Sequence, residues 1–187
     1  MTNIDKTRPY WFPMRVTYGR EMKVKAFLEA HGVTCFLPMK PQMNCENGKV
    51  SHTEVPAISN LLFVNDSFEH ILYFKHSCEE AMPLRWMTRP KTAAHNAPNE
   101  VMVVPERQMQ NFIKAASAPK ELFTYLTTDD LVGKAGHRVV ITSGPFKGVE
   151  GIIKRVHGNK RVVIELEGLG GLAINFVPKT LMTIQEE

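Results

Sequence analysis

The sequence predicts an α+β domain followed by a small β-barrel. Residues 10–116 mix short apolar strands with amphipathic helices, whereas residues 131–187 alternate apolar and polar side chains between Gly, Pro and Asn. A length of 187 residues suits two small domains better than a large enzyme fold. We therefore expect domains at residues 8–116 and 131–187, joined by a linker at residues 117–130, which show no sustained periodicity.

The elements of the first domain follow from hydrophobic spacing and from helix start and stop signals. Val24, Phe27, Leu28 and His31 share one helical face, and Gly32 then stands where a helix ends. In chain order the pattern predicts a strand at 10–17, a helix at 21–31, strands at 34–37 and 58–64, a helix opened by the capping pair Asp66 and Glu69, a strand near 84–88 and a helix from Pro105 to residue 116.

The sequence of the second domain predicts strands and no helix. Runs rich in β-branched residues occur at 137–142, 151–156, 161–166 and 172–177. About 55 residues of short strands can close into an SH3-like roll, which removes exposed strand edges. We therefore predict a small barrel here.

Composition narrows the function classes. The chain is 43% hydrophobic and 22% charged, and it has no apolar run of the roughly 18 residues that a membrane helix needs. The start of the chain lacks the apolar core of a secretory signal, and three cysteines suit a reducing compartment, so we expect a cytoplasmic protein. The net charge is +4, and residues 131–185 carry 8 Lys and Arg against 3 Asp and Glu. This balance moderately favours a nucleic-acid partner.

The most specific segment spans residues 136–153, where a strand, a tight turn and a second strand follow one another. It resembles a KOW motif, carried here by Gly136, Gly144, Pro145, Phe146, Lys147, Gly148 and Gly151. The motif occurs in ribosomal proteins and in NusG-type transcription factors, so it indicates a partner class and no reaction. The alternative is that the glycines only turn a barrel corner, with the surrounding basic residues forming a solvated face.

The first domain resembles the N-terminal domain of the NusG family. The resemblance rests on Trp11-Phe12, on Gly19, on the run from Gly32 to Met39 and on Asn60 to Val64. It covers nearly the whole chain and is closest to the specialised RfaH type and to the UpxY-type antiterminators of polysaccharide operons. It implies a ferredoxin-like sandwich before the barrel.

An apolar sheet face is the candidate docking surface. Leu61 and Phe63 point to one side of their strand and Leu62 and Val64 to the other, although helices on one side of a sheet require only one apolar face. Surplus apolar faces often bind partners. The resemblance implies docking on the clamp helices of RNA polymerase through Trp11, Phe12, Leu61 and Phe63. The alternative is that the linker or the second domain buries both faces.

The resemblance also implies a contact with the non-template DNA strand. By position the candidates are Thr17, Tyr18, Arg20, Arg85 and Arg89. Arginine and aromatic side chains suit single strands because they neutralise phosphates and stack on bases, although isolated surface arginines are also common. Two features depart from the family pattern: Thr17 replaces a basic residue, and Leu72-Tyr73-Phe74 does not match the gate-loop motif of the RfaH type.

No catalytic or metal signature stands out, so we expect no enzyme activity, no cofactor and no metal. Cys35, Cys45 and Cys78 lack a Cys-x-x-Cys spacing, and no phosphate loop or nucleophile elbow is present.

We predict a monomeric transcription elongation or antitermination factor that does not bind membranes. Its barrel would recruit a ribosomal protein or a termination factor. The alternative is a ribosome-associated RNA-binding KOW protein.

Overall fold

The computed structural model describes residues 4–46, 49–91, 98–131 and 136–185 of the chain. It divides into two compact units, Met1–Glu106 and Arg107–Glu187. Residues 1–3, which belong to the N-terminal segment discussed above, lie outside the described residues, as do 132–135, 186 and 187 of the predicted second domain.

The first unit is built on an antiparallel sheet. Its elements in chain order are β1 (Pro9–Val16), α1 (Glu21–Ala30), β2 (Thr34–Phe36), β3 (Met39–Glu46), β4 (Lys49–Pro56), β5 (Leu61–Ser67), α2 (Phe68–Ser77), β6 (Leu84–Trp86), β7 (Thr88–Pro90) and β8 (Asn99–Val101). The main sheet has the order β2-β5-β1-β6. The strands β3 and β4 form a separate ribbon, and so do β7 and β8. Helices beside an antiparallel sheet confirm the predicted α+β class.

Both helices pack on one face of the main sheet. Phe12 and Leu62 from the strands are fully buried in one cluster with Leu28 of α1 and Ile71 of α2. The helix α2 begins one residue later than the predicted cap, because the Ser67 hydroxyl accepts the His70 amide at 3.2 Å. This apolar layer anchors the strands whose other face is the candidate docking surface.

The ribbon of β3 and β4 was not predicted. Proline usually interrupts strands, so Pro38 and Pro41 argue against a strand here. In a two-stranded ribbon each strand has one unpaired edge, and such an edge tolerates a residue without a backbone N–H such as Pro41. Exposed Met43 and Val50 also give the ribbon no burial pattern that the sequence could reveal.

The second unit combines a helix with the predicted barrel. In chain order its elements are α3 (Glu106–Ala116), β9 (Phe123–Leu126), β10 (Arg138–Ile141), β11 (Glu150–Val156), β12 (Asn159–Leu166), β13 (Gly170–Ile174) and β14 (Met182–Ile184). The strand order is β14-β10-β11-β12-β13-β9, all antiparallel. This is the SH3-like β-architecture that the period-two runs predict.

The segment expected to be a linker contains β9. Residues 123–126 pair with β13, with Phe123 opposite Ile174 and Leu126 opposite Gly171. Both Phe123 and Leu126 are buried. A strand of four residues is too short to show a period, so only its partner reveals it.

Helix α3 is tied to the barrel by one side-chain amide. The Asn111 side chain donates to the Glu150 carbonyl at 2.7 Å and accepts the Glu150 amide at 2.8 Å. Arg107 adds an exposed ion pair to the Glu150 carboxylate at 2.6 Å. Residues 107–116, which the periodicity places at the end of the first domain, thus belong by their contacts to the second unit.

Candidate functional site

The register of the main sheet defines two faces. Across β1 and β5, Phe12 is opposite Val64 and Met14 opposite Leu62, and these four side chains lie on the helix-covered face. The alternate positions form what we call the second face, whose residues are Trp11, Pro13, Arg15, Thr34, Phe36, Leu61, Phe63, Asn65 and Arg85.

Three of the four predicted docking residues lie on the second face. Trp11, Leu61 and Phe63 share it, whereas Phe12 lies in the helix-covered core. Adjacent residues of a strand point to opposite sides, so Trp11 and Phe12 cannot serve the same face. Phe12 packs edge-on against Trp86 with ring centres 5.2 Å apart. In this structure the Phe12 side chain packs inside the helix-covered core.

The second face is apolar and buried at its centre. Trp11, Leu61 and Phe63 are exposed by only 3%, 4% and 0%. The indole N–H of Trp11 has no hydrogen-bond acceptor among the described residues. The expectation of an apolar second face thus agrees with the register, but the centre of that face is shielded from solvent in this structure. Any partner that docks there requires it to be uncovered.

The predicted nucleic-acid residues begin at the turn after β1. Thr17–Gly19 form a 3₁₀ turn in which Tyr18 has a φ of 65° and is 85% exposed. A left-handed conformation is uncommon for an aromatic residue, and such conformations cluster at functional sites. The Arg20 guanidinium lies 5.8 Å from the centre of the Tyr18 ring. The pair presents an aromatic surface and a positive charge together.

The turn is held from two sides. The Thr17 amide donates to the Pro83 carbonyl at 3.2 Å, which joins the turn to the segment before β6. Glu21 is 4% exposed, and its carboxylate accepts the Asn60 amide at 2.7 Å. Next to Glu21, a cleft of about 400 Å³ is lined by Gly19 and Met22 and by Lys40 and Gln42 of the ribbon.

Arg85 and Arg89 occupy different places. Arg85 lies on β6, and its guanidinium donates to the carbonyls of Met82 and Leu84, the latter at 2.8 Å. Arg89 lies on β7 and pairs with Glu100 of β8 at 3.1 Å. Arg85 is therefore joined through β6 to the Thr17 turn, whereas Arg89 belongs to another ribbon and already has an acidic partner.

The KOW turn connects β10 to β11. The Gly148 amide donates to the Ile141 carbonyl at 2.6 Å with a φ of +77°, a backbone conformation that other residues rarely adopt. At Gly151 a Cβ would lie 2.5 Å from a Val162 methyl group. Phe146 is buried, and Pro145 and Lys147 are exposed. The glycines thus have a structural role, and Lys147 remains available for contact.

In the described part of the chain, the side chains that could bind a metal do not come together, and Cys35 packs against the core. Within the described residues, no three His, Cys, Asp or Glu side chains come together as a metal site. Cys35 packs against the helix-covered core, and burial raises the pKa of its thiol to about 12. No helix in the described part of the chain is both long and apolar enough to cross a membrane.

Comparisons with known proteins show the family of the chain. The family model "Transcription termination factor nusG" matches residues 9–113, more than half of the chain. The chain belongs to the NusG family. A model of the KOW motif also matches residues 136–165. No curated protein matches the sequence.

One solved structure, of Thermotoga maritima NusG and concerned with domain interaction in that protein, is 18% identical. It covers 97% of this NusG-family chain and 100% of its own, with a TM-score of 0.45.

Sequence reasoning missed three residues near the Thr17 turn. Glu21 was not recognised because its partner, Asn60, is distant in sequence. Arg15 could have been found, since its position in β1 places it on the second face. Lys75 carries no sequence signal, because only the packing of α2 brings its ammonium group to the Leu84 carbonyl.

Proposed function

We propose that this protein is a transcription elongation or antitermination factor that binds RNA polymerase through the second face of its N-terminal sheet. The observation that carries the proposal is the apolar character of both sheet faces. Helices cover one face, whereas the apolar centre of the second face is also shielded from solvent in this structure, so docking there requires it to be uncovered. Trp11, Leu61 and Phe63 suit a groove that accepts the apolar side of a helix, as on the polymerase clamp.

Two further contacts complete the proposal. Thr17, Tyr18, Arg20, Arg85 and Arg89 are proposed to touch the non-template DNA strand, with Tyr18 and Arg20 forming the best supported pair. The barrel is proposed to recruit a ribosomal protein or a termination factor, raising its effective concentration near polymerase. The protein acts by binding and needs no cofactor. Resemblance to the RfaH and UpxY types supports a role in long polysaccharide-type operons.

A retention assay with purified RNA polymerase tests the docking face. Leu61 and Leu62 are adjacent, both buried, and on opposite faces, so they form a matched pair. We expect Leu61→Ala and Phe63→Ala to reduce retention of polymerase by the full-length protein about tenfold or more per folded molecule. Leu62→Ala should destabilise the unit and leave retention per folded molecule unchanged. Equal retention by the Leu61 and Leu62 variants would refute docking on this face.

An RNA-binding role for the barrel is the second candidate. The exposed residues Arg155 and Lys160 are directly opposite each other on β11 and β12, and like charges at such positions repel. RNA phosphates would relieve that repulsion. This candidate predicts salt-dependent RNA binding by the full chain that Arg155→Gln weakens, with polymerase retention absent.

A further inference from the structure

One end of the barrel exposes a phenylalanine to solvent. Phe176, two residues after the end of β13, is 79% exposed, although phenylalanine is among the residues most often buried. Leu122, just before β9, is also exposed, and its carbonyl accepts the Asn175 amide at 2.8 Å. This bond brings the two apolar side chains to the same end of the barrel. The proposed docking of polymerase uses neither of them.

Asn175 fixes the base of the exposed ring. Its side-chain oxygen accepts the Thr124 hydroxyl at 3.0 Å and an Arg161 N–H at 2.7 Å, and its side-chain nitrogen donates to the Glu121 carbonyl at 2.8 Å. The residue before Phe176 is thus bonded to β9, to β12 and to the turn before β9. A side chain on such a rigid base loses little conformational entropy on binding, and exposed aromatic anchors of this kind dominate many protein interfaces.

Three cations lie next to this anchor. Arg161 contacts Asn175, Lys160 precedes Arg161 on β12, and Arg155 of β11 is directly opposite Lys160. Lys160 and Phe176 are each one residue, about 3.8 Å of backbone, from the bonded pair. Arg155 and Lys160 are exposed, and like charges at opposite positions repel. We call the following residues the barrel-end surface: Leu122, Arg155, Lys160, Arg161 and Phe176.

Positive charge is in excess on the barrel-end surface. Among the residues that the structure describes, none of its three cations forms an ion pair. The carboxylate of Asp130 pairs with His157 at 3.2 Å, and that of Glu121 is exposed and pairs with none of the three. Carboxylates from a binding partner would therefore complement the charge of this surface.

We propose that the barrel-end surface binds an acidic segment of a partner protein. Phe176 and Leu122 contact apolar side chains of that segment, and the three cations contact its carboxylates. The apolar pair favours protein over RNA, because a base stacks on an aromatic ring but gains little from an aliphatic side chain such as Leu122. This inference rests on the proposed recruitment of a protein by the barrel, and it names the surface and the chemistry of the recruited segment.

Panning a random peptide library displayed on phage against the full-length protein tests the proposal. Recovered peptides should carry Asp or Glu beside aliphatic or aromatic residues. Phe176→Ala removes an exposed ring, and we expect it to weaken binding of a recovered peptide about tenfold or more by fluorescence anisotropy. Arg155→Gln and Lys160→Gln should each weaken binding about two- to fivefold at low salt, and less as salt screens the charges.

Ile184→Ala and Lys147→Gln are the matched controls. Each removes an exposed side chain of the same kind from another part of the barrel, Ile184 from β14 and Lys147 from the KOW turn. Neither variant should change the affinity for the recovered peptides. A library that yields no acidic peptide, or only peptides that bind the Phe176→Ala protein as tightly as the two controls, overturns the proposal.

Two other results separate this surface from the functions proposed above. Binding of oligo(U) that Phe176→Ala weakens, with no acidic peptide recovered, would assign the surface to RNA and overturn the proposal. Acidic peptides that require Phe176, found together with unchanged polymerase retention by Leu61→Ala, would support the barrel-end surface while the docking proposal failed.

Discussion

The two faces of the N-terminal sheet are both apolar at their centres, yet their polar surroundings differ. The helix-covered face is sealed by α1 and α2, and the partly buried side chains around it include Cys35 and Trp86. The second face carries the unpaired indole N–H of Trp11 and ends in Arg15 opposite Arg85. Unpaired donors and repelling charges cost stability. The difference supports the proposal made above, in which one face holds the fold and the other meets a partner.

Removing Phe12 should give the largest loss on the helix-covered face. Phe12 is fully buried and contacts the rings of Tyr10, Phe68 and Trp86. Phe12→Ala should lower the free energy of unfolding of this unit by about 3–5 kcal/mol, measured by urea titration. Polymerase retention per folded molecule should stay unchanged. Loss of retention at unaltered stability would place Phe12 on the binding side after all.

Thiol reactivity reports how well the same face is sealed. With a pKa of about 12 instead of 9.0, Cys35 has roughly a thousandfold smaller thiolate fraction at pH 8 than an ordinary thiol. Cys45 is exposed and serves as the internal control. We expect iodoacetamide to modify Cys45 about a thousandfold faster in the native protein, with mass spectrometry locating the adducts. Comparable rates would show that the face opens readily.

Glu21 affects both faces of the sheet. It holds Asn60 immediately before β5, and β5 contributes side chains to each face. Its carboxylate is buried and accepts the Asn60 amide. Glu21→Ala leaves that amide unpaired and should cost about 1–3 kcal/mol by urea titration. Glu21→Gln keeps the accepting oxygen and should cost less than the Ala variant. An equal loss of unfolding free energy in both variants would mean that the charge of Glu21, and not its hydrogen bond, stabilises the unit.

The smallest expected effect has the opposite sign. Removing one member of the repelling pair by Arg15→Gln should raise the stability of the unit by about 0.2–1 kcal/mol at low salt. The gain should shrink as salt screens the charges. Arg8→Gln removes a charge that lies just before β1, outside the residue pairs of that strand, and provides the comparison for thermal unfolding. A destabilised Arg15→Gln protein would mean that this arginine serves the fold.

Much of the fold could be predicted from the local pattern of apolar residues in the sequence. The helix α1, the strands β1 and β5 and the barrel strands β10 to β13 coincide with apolar runs or periods in the sequence, and such runs are a property of adjacent residues. The short strand β9 and the exposed ribbon of β3 and β4 were missed, since four residues show no period and exposed strands bury no regular side.

The sequence by itself determined the fold class, the KOW turn and the apolar character of Leu61 and Phe63, because each depends on residue types at short spacing. Only the tertiary structure decided that Phe12 belongs to the core and Trp11 to the second face, that the centre of the second face is buried, and that Arg15 lies opposite Arg85. The physical reason is strand register. Register joins residues some 70 positions apart, such as Arg15 and Arg85, and long-range pairing leaves no mark in the neighbours of either residue.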